Sequence, residues 1–193
     1  MRQSLILPDT LRKGLYQTSA NVKDANYLSL TLSAPVAIAK WWNTNNTFTI
    51  FNNQYSTTGL EGLELKANKT SYYVNTNHNF TLPRNYTAEL SASYTSSLVY
   101  GTLNMGSNYG VDLGLSKQLL NKKGNLKISV NDLFNTRETN IHSTLSSVNY
   151  KLYQKQESRI FRLTFTYRFG SSSIKEARDR STGLESEQSR IKR

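Results

Sequence analysis

The residues that could do chemistry in this chain are few and scattered. There is no cysteine, which removes disulfides, thiolate nucleophiles and cysteine-ligated metals together. Of the two histidines, His78 falls beside Phe80 on an apolar strand face and His142 in a predicted loop. Both read as incidental polar residues rather than metal ligands or a catalytic base. Glu89 and Asp112 share the polar parity of neighbouring predicted strands, where two carboxylates could divide acid and base roles. Charges lining a polar interior account for the same pair and are far commoner. Phosphate-binding glycine loops and the G-x-S-x-G elbow do not occur. The expectation is a protein that is not an enzyme and uses neither cofactor nor metal.

Charge gives a second candidate, nucleic acid. The chain carries 24 Lys and Arg against 13 Asp and Glu, a net charge of +11 and a pI near 9.8. The basic residues do not gather into a stripe. They sit in a turn (Lys122, Lys123), in loop-like segments (Arg12, Lys13, Lys151, Lys155), at polar strand positions and in the last 23 residues, so no nucleic-acid partner is expected. Aromatics reach 11%, with 12 Tyr, although mean hydropathy is only −0.56. That mixture argues against disorder and suits sheets with one polar and one aromatic face. No apolar run approaches the length of a membrane helix, a fact that leaves a membrane β-barrel untouched.

The elements that must position these residues are strands. In R-I-F-R-L-T-F-T-Y-R-F, Arg159 to Phe169, one parity holds Phe161, Leu163, Phe165, Tyr167 and Phe169. The other holds Arg162, Thr164, Thr166 and Arg168. Side chains alternate faces along a strand, so one face is apolar and the other hydroxylated and cationic. A soluble sheet makes this pattern with the apolar face inward; an outer-membrane barrel makes it with the apolar face toward lipid. Similar alternation recurs at Leu28–Leu32, Thr47–Tyr55, Tyr72–Thr81, Tyr86–Thr95, Tyr109–Ser116 and Leu126–Asn131, with a short strand at Gln3–Leu7 stopped by Pro8-Asp9. Pro35 marks an edge or bulge. Predicted connections alternate: short turns at 43–46, 82–85 and 121–124, the last with positive φ at Gly124, and longer loops at 56–69, 101–108 and 135–156. Outer-membrane barrels have short periplasmic turns and longer outer loops, and their crossing strands exceed the usual soluble length. The predicted fold is therefore all-β: an antiparallel transmembrane outer-membrane β-barrel of about eight meandering strands, part of a larger barrel. Residues 1–25 are expected to hold a weak first strand and a polar loop, 26–170 the barrel strands, and 171–193 a flexible polar tail.

Two segments carry a resemblance. S-V-N-D-L-F-N-T, Ser129 to Thr136, with its Asn131, Asp132, Leu133, Phe134 and Asn135, is followed by E-S-R-I-F-R-L-T-F-T-Y-R-F-G, Glu157 to Gly170. Together they resemble the C-terminal end of Bacteroidetes-type outer-membrane β-barrels, a branch of the TonB-dependent receptors. L-T-L-S-A-P-V-A-I-A-K-W-W, Leu30 to Trp42, is similar to another stretch of these barrels. From the residues alone, Asp132 reads as a local hydrogen-bonding group where Leu133-Phe134 breaks the alternation.

The resemblance implies a large barrel, typically of 22 strands, behind an N-terminal plug domain and a signal peptide, that imports bulky nutrients with an energy-coupling partner. It implies outer-membrane lipid around Phe161, Leu163, Phe165, Tyr167 and Phe169, a lumen lined by Arg162, Thr164, Thr166, Arg168, Glu89 and Asp112, and a barrel-assembly machinery that reads the terminal aromatic. Plug and coupling box are not found in this sequence, and M-R-Q-S-L-I-L-P-D-T does not read as a signal peptide. The expectation is a C-terminal segment of a receptor or transporter in the bacterial outer membrane, its tail periplasmic and its ligand unidentified. The alternatives are a small autonomous anchoring barrel and a soluble β-sheet binding module.

Overall fold

A computed structural model describes residues 2–9, 14–21, 24–60, 63–143 and 150–169. Strands β1 (Arg2–Asp9) and β2 (Gly14–Asn21) form a separate antiparallel hairpin. The wall consists of β3 (Asp24–Ala39), β4 (Trp42–Leu60), β5 (Leu63–Leu82) and β6 (Tyr86–Thr95), continued after an insertion. That insertion is the small hairpin β7 (Leu98–Tyr100) and β8 (Leu103–Met105). The wall resumes with β9 (Asn108–Leu119) and β10 (Gly124–Asn131), is left again for β11 (Thr139–Ser143) and β12 (Lys151–Gln154), and ends with β13 (Ile160–Tyr167). Seven strands pair in the order β13-β10-β9-β6-β5-β4-β3, all antiparallel, and the two inserted hairpins pair with each other as β12-β11-β8-β7. Every wall strand thus neighbours the next wall strand in sequence, whether a short turn or an inserted hairpin joins the two.

The wall has seven strands where about eight were expected, and residues 14–21, expected as polar loop, form a strand instead. Alternating Tyr16 and Thr18 with Gln17 and Ser19 gives no strong apolar period, and β2 is held by register with β1 rather than by its own pattern. β1 also runs on through Pro8 to Asp9, because a two-stranded hairpin leaves an outer side where proline loses no ladder bond. Residues 43–46 are not a turn. The chain turns at Lys40-Trp41, closed by the Ala39–Trp42 pair, and Asn43 to Asn46 lie inside β4 opposite Asn79 to Thr76. Asparagine-rich composition imitated a turn where the amides in fact face one another across strands. Likewise 56–69 is not a loop: β4 reaches Leu60 and β5 starts at Leu63, with only the tip, residues 61–62, outside the described residues. The predicted loop 101–108 contains β8. The 135–156 segment contains β11 and β12, its residues 144–149 lying outside the described residues. The 171–193 tail lies outside them entirely.

Two turns show how the short connections are made. Pro83 opens the 82–85 turn and Arg84 and Asn85 take positive φ (59° and 61°). In the 120–123 turn the positive φ falls on Leu120, Asn121 and Lys122 rather than on Gly124 as expected. Gly124 opens β10 instead, packed under Leu120 and Phe165.

The wall has no core beneath it. Leu28, Phe161 and Leu163 are 76%, 74% and 69% exposed, while the buried apolar side chains Leu7, Tyr55 and Val99 lie where the inserted and N-terminal hairpins meet the strand ends. Tyr55 donates to the Gly101 carbonyl, and the backbone N–H of Ile6 donates to Thr102 Oγ1 at 2.9 Å. An isolated sheet that shows its large apolar side chains to the outside needs an apolar surrounding.

Candidate functional site

The wall has two faces, and strand register decides what each carries. On one, cross-strand rows join Leu32, Phe48, Val74, Tyr94 and Tyr109, and further along Val130 and Phe161 beside Leu113, then Ile128 and Leu163 beside Leu115. Aromatic rings bound this field at both ends. At one end Tyr72 stacks on Tyr94 at 5.6 Å, with Tyr109 next to it in register. At the other, Trp41 and Trp42 stack at 5.9 Å, Trp42 meets Phe80 at 5.5 Å, and Tyr167 meets Phe169 edge-on at 4.7 Å. On β6 the interval from Tyr86 to Tyr94 spans about 26 Å along the strand, close to the apolar band of an outer-membrane barrel.

One patch inside the bounded field is polar. Trp42 Nε1 donates to His78 Nδ1 (3.1 Å), and His78 Nε2 meets Thr76 Oγ1 (2.9 Å). Thr76 Oγ1 donates to Asn46 Oδ1 (2.6 Å), Asn46 Nδ2 to Thr44 Oγ1 (2.9 Å), and Thr44 Oγ1 to the Val36 carbonyl (3.5 Å). An indole N–H can only donate, so Nδ1 of His78 accepts and its Nε2 carries the proton. The chain then runs one way from Trp42 to a backbone carbonyl, with every intermediate group both donating and accepting. Polar groups in an apolar surrounding must be satisfied within the protein, and these are. His78 is therefore part of a network and not the incidental residue expected from sequence.

The opposite face is mostly polar, with Tyr27, Phe51 and Tyr73 as a local aromatic group. A cleft of about 290 Å³ on it is lined by Glu89, Ser91, Asp112, Lys127, Arg162 and Thr164, among others. A second cleft toward the 120–123 turn is lined by Lys122, Lys123, Thr166 and Arg168, among others. Glu89 and Asp112 do not form a carboxylate pair: each is taken up by its own cation. Glu89 accepts from Lys127 Nζ at 2.5 Å, and Asp112 accepts two bonds from the Arg137 guanidinium at 3.0 and 2.8 Å. Glycines on β9 make room for both pairs. A Cβ on Gly114 would stand 3.3 Å from Lys127 Cε, and one on Gly110 would stand within 2.4 Å of Arg137 Nε.

Asp132 joins three segments where β10 ends. Its carboxylate accepts from the N–H groups of Thr136 (2.9 Å) and Arg137 (3.0 Å) and from the hydroxyls of Thr136 and Ser158, while its own N–H donates to Asp112 Oδ1 (2.7 Å). Burial opposes its charge, and these donors more than compensate, holding the carboxyl well below the usual carboxylate range. Asp132 and Asn135 take positive φ (46° and 55°), and Leu133 N donates to the Val111 carbonyl at 2.8 Å. Asn131 lines the first cleft, and Phe134 is exposed at 63%. Thr136 is a local partner four residues from Asp132, whereas Arg137, Ser158 and Lys127 escape sequence reasoning because Asp112, Asp132 and Glu89 lie 25 or more residues from them. No group of three His, Asp or Glu side chains that could hold a metal occurs among the described residues.

These features agree with comparison against known families. A model described as the outer membrane protein beta-barrel family matches residues 3–167. The chain belongs to that family. No curated protein matches the chain, and neither does any solved structure. The match spans β1 through β13, so the N-terminal hairpin and the inserted hairpins belong to the same family unit as the wall. Family and face geometry together make this an outer-membrane β-barrel chain.

Proposed function

We propose that the chain is the C-terminal barrel segment of an outer-membrane receptor or transporter of the TonB-dependent type, in a Bacteroidetes-type bacterium. The observation that carries this reading is the pair of free edges. β3 and β13 end the seven-stranded sheet and are not paired with each other among the described residues. Membrane sheets must close, because an open edge leaves backbone groups unsatisfied in lipid. On this reading the edges are taken by further strands of a larger barrel. β3, β4 and β5, with 16, 19 and 20 residues, also exceed the roughly 9–11 residues of one crossing. Their outer parts, with the β7–β8 and β11–β12 sheet, would contact ligand.

In this role Phe161, Leu163, Phe165, Tyr167 and Phe169 face lipid, and Phe169 serves the barrel-assembly machinery as a closing signal. Arg162, Thr164, Thr166, Arg168, Glu89 and Asp112 face the lumen. Residues after Gly170 lie in the periplasm, and a plug domain and an inner-membrane coupling protein are the partners. The protein acts as a scaffold and conduit, not as an enzyme.

The test uses paired cysteines in a chain that has none of its own. Ser29→Cys or Ser33→Cys on β3 is combined with Thr164→Cys or Thr166→Cys on β13, in the outer membrane of the native host. The proposal expects no intrachain disulfide on oxidation. Efficient cross-linking would mean that β3 meets β13, and the small autonomous barrel would replace this reading.

A further inference from the structure

The polar face divides sharply by chemistry. Its β9–β10–β13 part carries the ion pairs and Arg162. Its β4–β5 part carries no charge over several rows: Asn43, Asn45, Thr47 and Thr49 on β4 face Asn79, Asn77, Asn75 and Tyr73 on β5. Asn43, Asn45 and Asn79 are exposed and make no side-chain hydrogen bond among the described residues. Asn77 is oriented by two bonds, donating to Asn75 Oδ1 at 2.6 Å and accepting from Ser91 Oγ at 2.7 Å.

We propose that this amide ladder binds an extended, uncharged oligopeptide through its backbone. The proposal rests on the receptor reading and deepens it by naming a ligand class. A side-chain carboxamide offers one acceptor and two donors on a plane, the complement of a peptide group. Same-face residues along a strand recur every 6.6–6.8 Å or about that, which is also the two-residue repeat of an extended peptide laid alongside. Asn75, Asn77 and Asn79 therefore meet every second peptide group in step. Charge complementarity points the same way: the ladder has no ion to neutralise, and a peptide backbone has none to offer. An oligosaccharide shows apolar C–H faces between its hydroxyls and calls for rings interleaved with the polar groups. Here Tyr73 alone stands in the rows, at their last position, and Tyr27 and Phe51 lie beyond them, so no rings are interleaved among the amides.

The test is calorimetric titration of the detergent-solubilised protein with N-acetylated, C-amidated ten-residue peptides of Ala, Ser and Gln. A neutral maltooligosaccharide series and the same peptides N-methylated at alternate backbone amides are titrated in parallel. Binding of the plain peptides is expected, weakened at least tenfold by alternate N-methylation and by Asn43→Ala, Asn45→Ala and Asn79→Ala combined. Those three side chains are exposed and make no hydrogen bond among the described residues, so the variant should assemble normally, and Arg162→Ala should leave affinity unchanged. No peptide binding, binding indifferent to the triple variant, or binding of the saccharides in place of peptides overturns the inference. If that happens while the β3–β13 cysteines stay unlinked, the ligand class alone is wrong and the receptor reading stands.

Discussion

The two halves of the wall solve one problem in two ways. In the β9–β10–β13 half the outward face is apolar from Leu113 to Leu163, with Lys117 at its margin over the Tyr86 ring, and the inward face carries two matched ion pairs beside Arg162. In the β4–β5 half the inward face is neutral over the rows from Asn43 to Thr49, and polar side chains occur on the outward face, where Thr44, Asn46, Thr76 and His78 are strung into one hydrogen-bond chain. The first half relies on segregation and the second on internal satisfaction. A wall strand can therefore depart from strict alternation provided each exposed polar group finds its partner on the next strand.

The largest break in this comparison is a charge in the segregated half. Leu163→Arg puts a cation midway along the apolar face of β13, at a cost of about 2–4 kcal/mol, to be read as reduced assembly and a lower urea midpoint in liposomes. The same substitution at Thr164, on the other face, should be close to neutral. Next comes the outward network. His78→Phe leaves the Trp42 N–H without a partner and takes from the Thr76 hydroxyl the donor it accepts from, and should destabilise by about 1–3 kcal/mol. Replacing the whole chain with apolar residues (Trp42→Phe, Thr44→Val, Asn46→Leu, Thr76→Val, His78→Phe) should cost less than the single change, since no group is then left unpaired. Equilibrium unfolding of the two variants decides whether satisfaction or polarity itself matters.

Asp132 gives a pH-dependent contrast. Its carboxyl is held below its unfolded value, so the stabilisation is fully present above the ordinary carboxylate range and is lost as pH falls through the folded-state value. Asp132→Asn should remove that acid-side portion of the unfolding profile while leaving the neutral-side slope unchanged. The smallest effect belongs to the inward ion pair. Glu89 and Lys127 are 41% and 35% exposed, so Glu89→Gln should change stability by less than about 1 kcal/mol, less still at high salt.

How much of this was legible in the sequence follows from range. β13, β10, β9 and β6 announce themselves through alternation, because their apolar face is continuous and period two survives in the residue string. β4 and β5 were harder: Asn43 to Asn46 looks like a turn, and the polar stretch from Ser56 to Lys69 looks like a loop. From Ser56 to Lys69 the strands leave the apolar surrounding, need no apolar parity and so lose their signature, whereas at 43–46 the outward Thr44 and Asn46 belong to the hydrogen-bond chain. The N-D-L-F-N segment was visible as a break in alternation, but its role depends on Asp112, Arg137 and Ser158, brought together from three strand ends. The same holds for Glu89, whose cation lies two strands away in the wall. Pro35 was read as marking an edge or bulge, and β3 is an edge strand with a register shift between Ala37 and Ala39.

The central claim is the assignment of faces, and β13 tests it most directly. Single cysteines at positions 160 to 167, labelled with a nitroxide in outer-membrane proteoliposomes, report collisions with oxygen dissolved in lipid and with a water-borne nickel chelate. Labels at 161, 163 and 165 should favour oxygen and those at 162, 164 and 166 the chelate, in strict alternation. A flat profile, or alternation in the opposite phase, would contradict it.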